Sequence, residues 1–285
     1  MTDIYLNGAF VPLNQARVPV MDRGFLFGDG VYEVIPTYGG RPVRWIAHME
    51  RLERSLAGIR LAPPLTREAW SDLCARLLAQ QPGLDQSLYL HVTRGAPPTR
   101  DHRFPSDDIP PTVMALAKPI SPRPATLAEQ GVTVLVREEL RWGRCDLKTI
   151  SLVAAVLFAQ EASEQDAEET LLQRDGWMIE GASSNLFAVI DGVILTPPLS
   201  HALLAGITRA LVIDLARAAG LRVDERPISR TELNQAQEVW ITSATREIMP
   251  VTRIEQQVIG EGCPGPIWRK LDAAYQDYKQ HLEPL

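Results

Sequence analysis

Short apolar runs of strand length alternate along this chain with longer stretches of helical period. Residues 4–11 hold two such runs around Asn7-Gly8, a dipeptide that favours a two-residue hairpin turn. Residues 25–34 place Gly28-Asp29-Gly30 between apolar runs. No third glycine follows where a nucleotide loop needs one, so the spacing predicts a turn between strand-like segments. From 45 to 59 the period lengthens: Ile46, Met49, Leu52, Leu56 and Ile59 recur at three and four, which predicts a helix stopped by Gly58 and Pro63-Pro64. A second helix is expected over 66–80, with Thr66 as N-cap and Glu68 in its first turn. Strands are expected at 88–93 and 112–117.

The second half follows a proline-rich stretch at 118–124. A strand at 132–136 leads to Lys148, and then to a helix over 150–162 that is apolar nearly all round. Such a helix is expected to be buried, carrying Lys148 inward at its mouth. Strands at 169–172, 177–180, 186–190 and 193–196 are separated by Asp175-Gly176 and Asp191-Gly192. A helix over 204–219 ends at Gly220. Strands at 221–226 and 238–242 follow, then a last helix over 266–281 with Pro266 at its first position. The mixture predicts an α/β (α+β) chain: a small N-terminal domain over 1–119, a linker at 120–124 and a larger domain over 125–285.

Composition narrows the function classes. In 285 residues the net charge is -6 and no Lys/Arg block stands out, which argues against nucleic acid or a membrane surface as partner. Three widely spaced cysteines show no metal-ligand or disulfide spacing, so no metal is expected and a reducing, cytoplasmic setting is. The N-terminus lacks a basic region followed by an apolar core, so no leader is expected, and no apolar run reaches membrane-spanning length.

Several stretches carry chemistry. Lys148 is a candidate Schiff-base lysine and Glu180 a candidate acid that tunes a cofactor ring; a solvated lysine and a turn glutamate are the plainer alternatives. Gly206-Ile207-Thr208 opens a helix with free N–H groups and a hydroxyl, a ready anion site, and Ser243-Ala244-Thr245 is a second hydroxyl-rich turn. Arg100 and His102 lie two apart in a proline-rich loop and could clamp a carboxylate, or simply be surface charge. Tyr32 follows the Gly-Asp-Gly turn, and Arg51 lies on the first long helix.

Together these parts resemble the fold-type IV pyridoxal-phosphate enzymes, a family that includes D-amino acid aminotransferases, branched-chain aminotransferases and aminodeoxychorismate lyases. The likeness runs through Asp22-Arg23-Gly24, Phe27-Gly28-Asp29-Gly30-Val31-Tyr32-Glu33, His48-Met49-Glu50-Arg51-Leu52, Asp146-Leu147-Lys148, Glu180-Gly181-Ala182-Ser183-Ser184-Asn185, Gly206-Ile207-Thr208-Arg209 and Thr242-Ser243-Ala244-Thr245, in order. It implies a small α/β domain and a larger pseudo-barrel domain, with pyridoxal 5'-phosphate bound covalently to Lys148. It implies that Glu180 pairs with the ring nitrogen and that Arg51, Ile207, Thr208, Ser243, Ala244 and Thr245 hold the phosphate. Tyr32 then lines the substrate side. Thr93-Arg94-Gly95 followed by Arg100-Asp101-His102 is similar to the D-amino acid members, in which this loop comes from the partner subunit. The resemblance thus implies a homodimeric D-amino acid transaminase; an L-branched-chain aminotransferase and an aminodeoxychorismate lyase are the alternatives within the family. The loop is one residue longer than that pattern, and Arg246 stands where smaller residues are expected.

Overall fold

Asn7 and Gly8 both take positive φ, 48° and 97°, the geometry of a tight hairpin turn. They join β1 (Asp3–Leu6) to β2 (Ala9–Pro12) in antiparallel register. The computed structural model describes residues 3–285; Met1 and Thr2, with which the leader reading begins, lie outside the described residues. The chain divides into two compact units. Unit 1 runs through Ser121 and adds Leu147–Leu152 and Leu282–Leu285; unit 2 comprises Pro122–Asp146 and Val153–His281.

Unit 1 continues with α1 (Arg23–Phe27), β3 (Gly30–Tyr38), β4 (Arg41–Pro42), α2 (Trp45–Gly58), α3 (Arg67–Leu78), β5 (Gln86–Thr93) and β6 (Thr112–Pro119). Its sheet is antiparallel, in the order β2-β1-β6-β5-β3-β4. Period-two alternation puts Leu88, Leu90 and Val92 of β5 on one face, where they pack with Met49, Leu52 and Leu56 of α2. Residues 25–27, expected as strand, form α1 instead. Asp22 caps it by accepting from Gly24 N at 2.8 Å, and Gly28 closes it at φ 67°. One turn of helix is too short to show a helical period, so its apolar run reads as strand.

Leu147–Leu152 belongs to unit 1 because its backbone is tied to β3. Tyr32 N donates to Lys148 O at 3.0 Å, Ile150 N donates to Gly30 O at 3.1 Å, and Thr149 bridges Val31.

Unit 2 holds α4 (Ala125–Gln130), β7 (Val132–Glu138), α5 (Val153–Glu164), β8 (Glu169–Arg174), β9 (Trp177–Gly181), β10 (Asn185–Ile190), β11 (Val193–Thr196), α6 (Ile207–Ala218), β12 (Val223–Glu225), α7 (Arg230–Asn234), β13 (Glu238–Ser243), β14 (Glu247–Ile254), β15 (Gln257–Val258) and α8 (Pro266–Gln280). The main sheet runs β12-β11-β10-β13-β14-β7-β8-β9, with β15 on β14. β9 and β10 are eighth and third in that order, yet the tight 181–184 turn brings them together, with Gly181 N donating to Ser184 O at 2.7 Å. The sheet therefore curls into a half-barrel around a core that includes Val134, Leu171, Leu186 and Ile241.

α5 corrects an expectation. It begins at Val153, five positions after Lys148, and only Phe158 and Ala162 are buried. Val153, Val156 and Leu157 are 76%, 63% and 62% exposed. The helix lies on β8, where Thr170 Oγ1 donates to Phe158 O at 3.0 Å, and its other apolar side is uncovered in the single chain. Apolarity all round suggests burial within one chain; here it marks two faces, of which the chain covers one.

Candidate active site

In unit 1 the backbone of Lys148 is fixed from two sides. Its N–H donates to Ser55 Oγ at 3.1 Å and its carbonyl accepts from Tyr32. The side chain is half-buried rather than interior, with Nζ 4.2 Å from the centre of the Tyr32 ring. Tyr32 in turn lies against Tyr89, whose hydroxyl is 2.8 Å from His91 Nδ1.

Beneath this pair α2 shows a buried polar stripe, His48, Arg51 and Ser55, at helical spacing. The Arg51 fork donates twice to Glu33, both at 2.8 Å, and His48 Nδ1 is 2.8 Å from Glu33 Oε2. Burial pushes the Glu33 carboxyl up, but the Arg51 charge and the Arg51 and His48 hydrogen bonds outweigh it, and its pKa lies far below the carboxylate range. Burial lowers the His48 pKa, helped by the charges of Arg51 and Lys148. A neutral His48 beside an ionised Glu33 must donate from Nδ1, which leaves Nε2 as an acceptor. Glu33 was not singled out from sequence, although a signal was there: on β3 it shares a face with Val31 and Ile35, so the strand turns a charge inward and needs a partner there.

Arg100 and His102 are exposed, and both flank Phe27. The Arg100 guanidinium is 4.7 Å from the centre of that ring and the His102 ring 5.1 Å.

In unit 2 Glu180 is buried at the end of β9. Its Oε1 accepts from Arg141 Nη1 at 2.8 Å; its Oε2 accepts from Asn185 Nδ2 and Leu204 N, each at 3.0 Å. Burial pushes its pKa up to about 7, against the opposing charge and hydrogen bond of Arg141. Arg141 is shared: its Nε also donates to Glu139 at 2.8 Å, and the Glu139 side chain has no exposed surface. Arg141 and Asn185 were not singled out from sequence, although Asn185 closes the Glu180 motif.

The anion-site candidates also lie in unit 2. α6 starts after Gly206, whose side-chain-free position leaves the first N–H groups without a side-chain cap. A Cβ there would come within 1.9 Å of Asn185 Oδ1 and displace the side chain that donates to Glu180. Ile207 and Thr208 are buried in the first turn. Thr242 Oγ1 is buried and, among the described residues, has no hydrogen-bond partner. Ser243 and Ala244 follow it half-buried, and Thr245 is exposed. The large Arg246 has a structural reason. Its Nη2 donates to the buried Glu169 and, at 2.7 Å, to Ser183 Oγ, while its Nε donates to Ser243 Oγ at 3.3 Å. It neutralises an inward carboxylate and ties the 243–245 turn to the 181–184 turn.

The family model described as Amino-transferase class IV matches residues 30–254. The D-alanine aminotransferase of Staphylococcus epidermidis is 38% identical over 280 residues, which cover 98% of this chain and 99% of that one. That of Bacillus licheniformis is 37% identical over 96% of each chain. Among solved structures, the branched-chain amino acid aminotransferase of Escherichia coli matches with a TM-score of 0.88 and 27% identity, over 97% of this chain and 94% of that one. A second branched-chain amino acid aminotransferase, from T.th. and solved with pyridoxamine 5'-phosphate, matches with a TM-score of 0.89 and 28% identity, over 99% and 95%.

Proposed function

The chain belongs to the class IV aminotransferase family, and on that footing we propose that it is a pyridoxal-phosphate-dependent D-amino acid transaminase. It moves the amino group of D-alanine-like substrates to a 2-oxo acid such as 2-oxoglutarate, in ping-pong order. The observation that carries the reading is the similarity to D-alanine aminotransferases over nearly the whole chain, 38% identical for the Staphylococcus epidermidis enzyme against 27% for the Escherichia coli branched-chain enzyme.

The residues fit the cofactor. A buried carboxylate with a pKa near neutrality, held by three donors, suits a ring nitrogen that is itself protonated. A helix start without a side-chain cap and the Thr242 hydroxyl, buried without a partner among the described residues, suit a phosphate. When bound, pyridoxal phosphate supplies an electron sink that makes the substrate's α proton acidic. Lys148 would hold it covalently and Glu180 would pair with its ring nitrogen. Ile207, Thr208, Ser243, Ala244 and Thr245 would hold the phosphate, with Arg51 kept rigid by Glu33 for the same task. Lys148 Nζ, free as an amine once the substrate's amine has taken its place, would take the α proton, and the fixed backbone of residue 148 would set the direction of its approach. Tyr32 would line the substrate side, and Arg100 with His102 would bind the substrate carboxylate and so select the D hand.

The enzyme is read as a homodimer, with the exposed apolar side of α5 as part of the buried surface and the Arg100 loop contributed to the partner's site. A cytoplasmic location is supported by three free thiols, Cys74, Cys145 and Cys263. The test is D-alanine against L-leucine, each with 2-oxoglutarate. Turnover of D-alanine is expected; turnover of L-leucine alone would overturn the reading.

A further inference from the structure

The loop that carries Arg100 and His102 is exposed, yet its backbone is gripped by one buried residue outside it. Arg23 is the first residue of α1 and is only 4% exposed. Its backbone N–H donates to Gly95 O at 2.9 Å, at the start of the loop. Its guanidinium reaches the far arm: Nη1 donates to Asp101 O and, at 3.2 Å, to Arg103 O, and Nη2 donates to His102 O at 3.3 Å. Nε is spent on Asp29 Oδ2 at 2.8 Å. Three successive carbonyls of an otherwise solvated segment are thus fixed by one planar fork, which is itself aimed by a carboxylate. Asp29 is shared with Arg94, whose Nε and Nη2 donate to it at 2.8 and 3.0 Å. Arg94 also stacks on Phe104, 3.8 Å from the ring centre, and so holds the loop one residue further on. Phe27, at the other end of α1, is the surface against which Arg100 and His102 rest.

We propose that Arg23 is the positioning residue of the carboxylate clamp: tied to Asp29, it fixes the backbone of residues 101–103 so that Arg100 and His102 present a set anion site. This rests on the reading of Arg100 and His102 as the clamp. A set backbone lowers the ordering cost of binding, so the residue acts on affinity for the carboxylate and not on the proton transfer.

The test uses the holoenzyme with Arg23→Met, Arg23→Lys and Arg100→Ala. Arg23→Met leaves Asp29 paired with Arg94, so no carboxylate is stranded. The KM for D-alanine is expected to rise about tenfold, the scale of a few lost hydrogen bonds, with kcat within about threefold. The KM for 2-oxoglutarate, which presents the same α-carboxylate, should rise in parallel. Cofactor absorbance should be unchanged, and amide hydrogen exchange should speed up at residues 101–104. A merely structural role would lower melting temperature and kcat without this split. Should Arg23→Met not fold, Arg23→Lys decides: one ammonium cannot serve Asp29 and three carbonyls, so its KM must still rise. Arg100→Ala with an unchanged KM would remove the clamp itself. A raised KM in Arg100→Ala with an unchanged KM in a folded Arg23 variant would leave the clamp standing and overturn the role of Arg23. A raised KM with unaltered exchange at 101–104 would also overturn it.

Discussion

Arg141→Met is the sharpest perturbation of the Glu180 site. Arg141 places its guanidinium on Glu180 at 2.8 Å, and it also answers Glu139, whose side chain is wholly buried. In the apoprotein Glu180 titrates near 7, raised by burial from an ordinary 4.5. A carboxyl raised on folding stabilises the fold below its unfolded pKa and loses that contribution as pH rises through the folded one. At about 1.4 kcal/mol per pH unit, the parent apoprotein loses about 3 kcal/mol from this group between pH 4.5 and 7. An opposite charge at such a distance holds a carboxyl down by roughly one to three pH units, so in Arg141→Met the loss should extend above about pH 8. Two buried carboxyls losing one shared partner cost roughly 3–5 kcal/mol. The assay is urea unfolding of both apoproteins near pH 5 and pH 8. The variant's deficit should be larger at the higher pH. A deficit below about 1 kcal/mol near pH 8, or one larger near pH 5, would show that Arg141 does not hold these carboxyls.

The buried pair His48–Glu33 contributes to the acid limit. Both pKa values are lowered on folding, so their contribution is present above the ordinary values and is lost as pH falls, from 6.5 for His48 and from 4.5 for Glu33. His48→Gln should shrink the limb that begins at 6.5, leaving only the part owed to His91, whose pKa burial also lowers, and should keep the carboxylate limb; a stability–pH series whose first limb is undiminished would contradict this. Arg246→Met should destabilise by roughly 3 kcal/mol by stranding the buried Glu169 charge. Adding Glu169→Gln should restore most of that loss. A double variant as unstable as the single would deny Arg246 this role.

Much of the fold was legible where a pattern ran long enough to repeat. The Asn7-Gly8 hairpin, the Thr66 cap, the 193–196 strand and Pro266 at the start of α8 lie where local chemistry puts them. One-turn α1 and α7, and the short strand β15, fell below that length, whereas the eight-residue β14 was missed because Pro250 interrupts its run and speaks against a strand. Apolarity could mark α5 as a helix but not say who covers it, because a face kept for another chain looks the same as core. The site was legible as residue types and not as partners. Glu180 and Lys148 stand out in sequence, whereas Arg141, 39 positions before Glu180, and the Ser55 that holds the Lys148 backbone are joined to them only by the fold. Arg23 stands within a recognisable motif, and nothing in its sequence neighbourhood tells that its guanidinium reaches residues 101–103.

Everything proposed for the reaction depends on Lys148 holding the cofactor of a D-amino acid transaminase. Borohydride reduction of the holoenzyme, followed by peptide mass mapping, tests this directly. A single pyridoxyl-phosphate adduct on Lys148 is expected, and it should be lost when D-alanine is added before the reductant. An adduct on another lysine, or none, would contradict it.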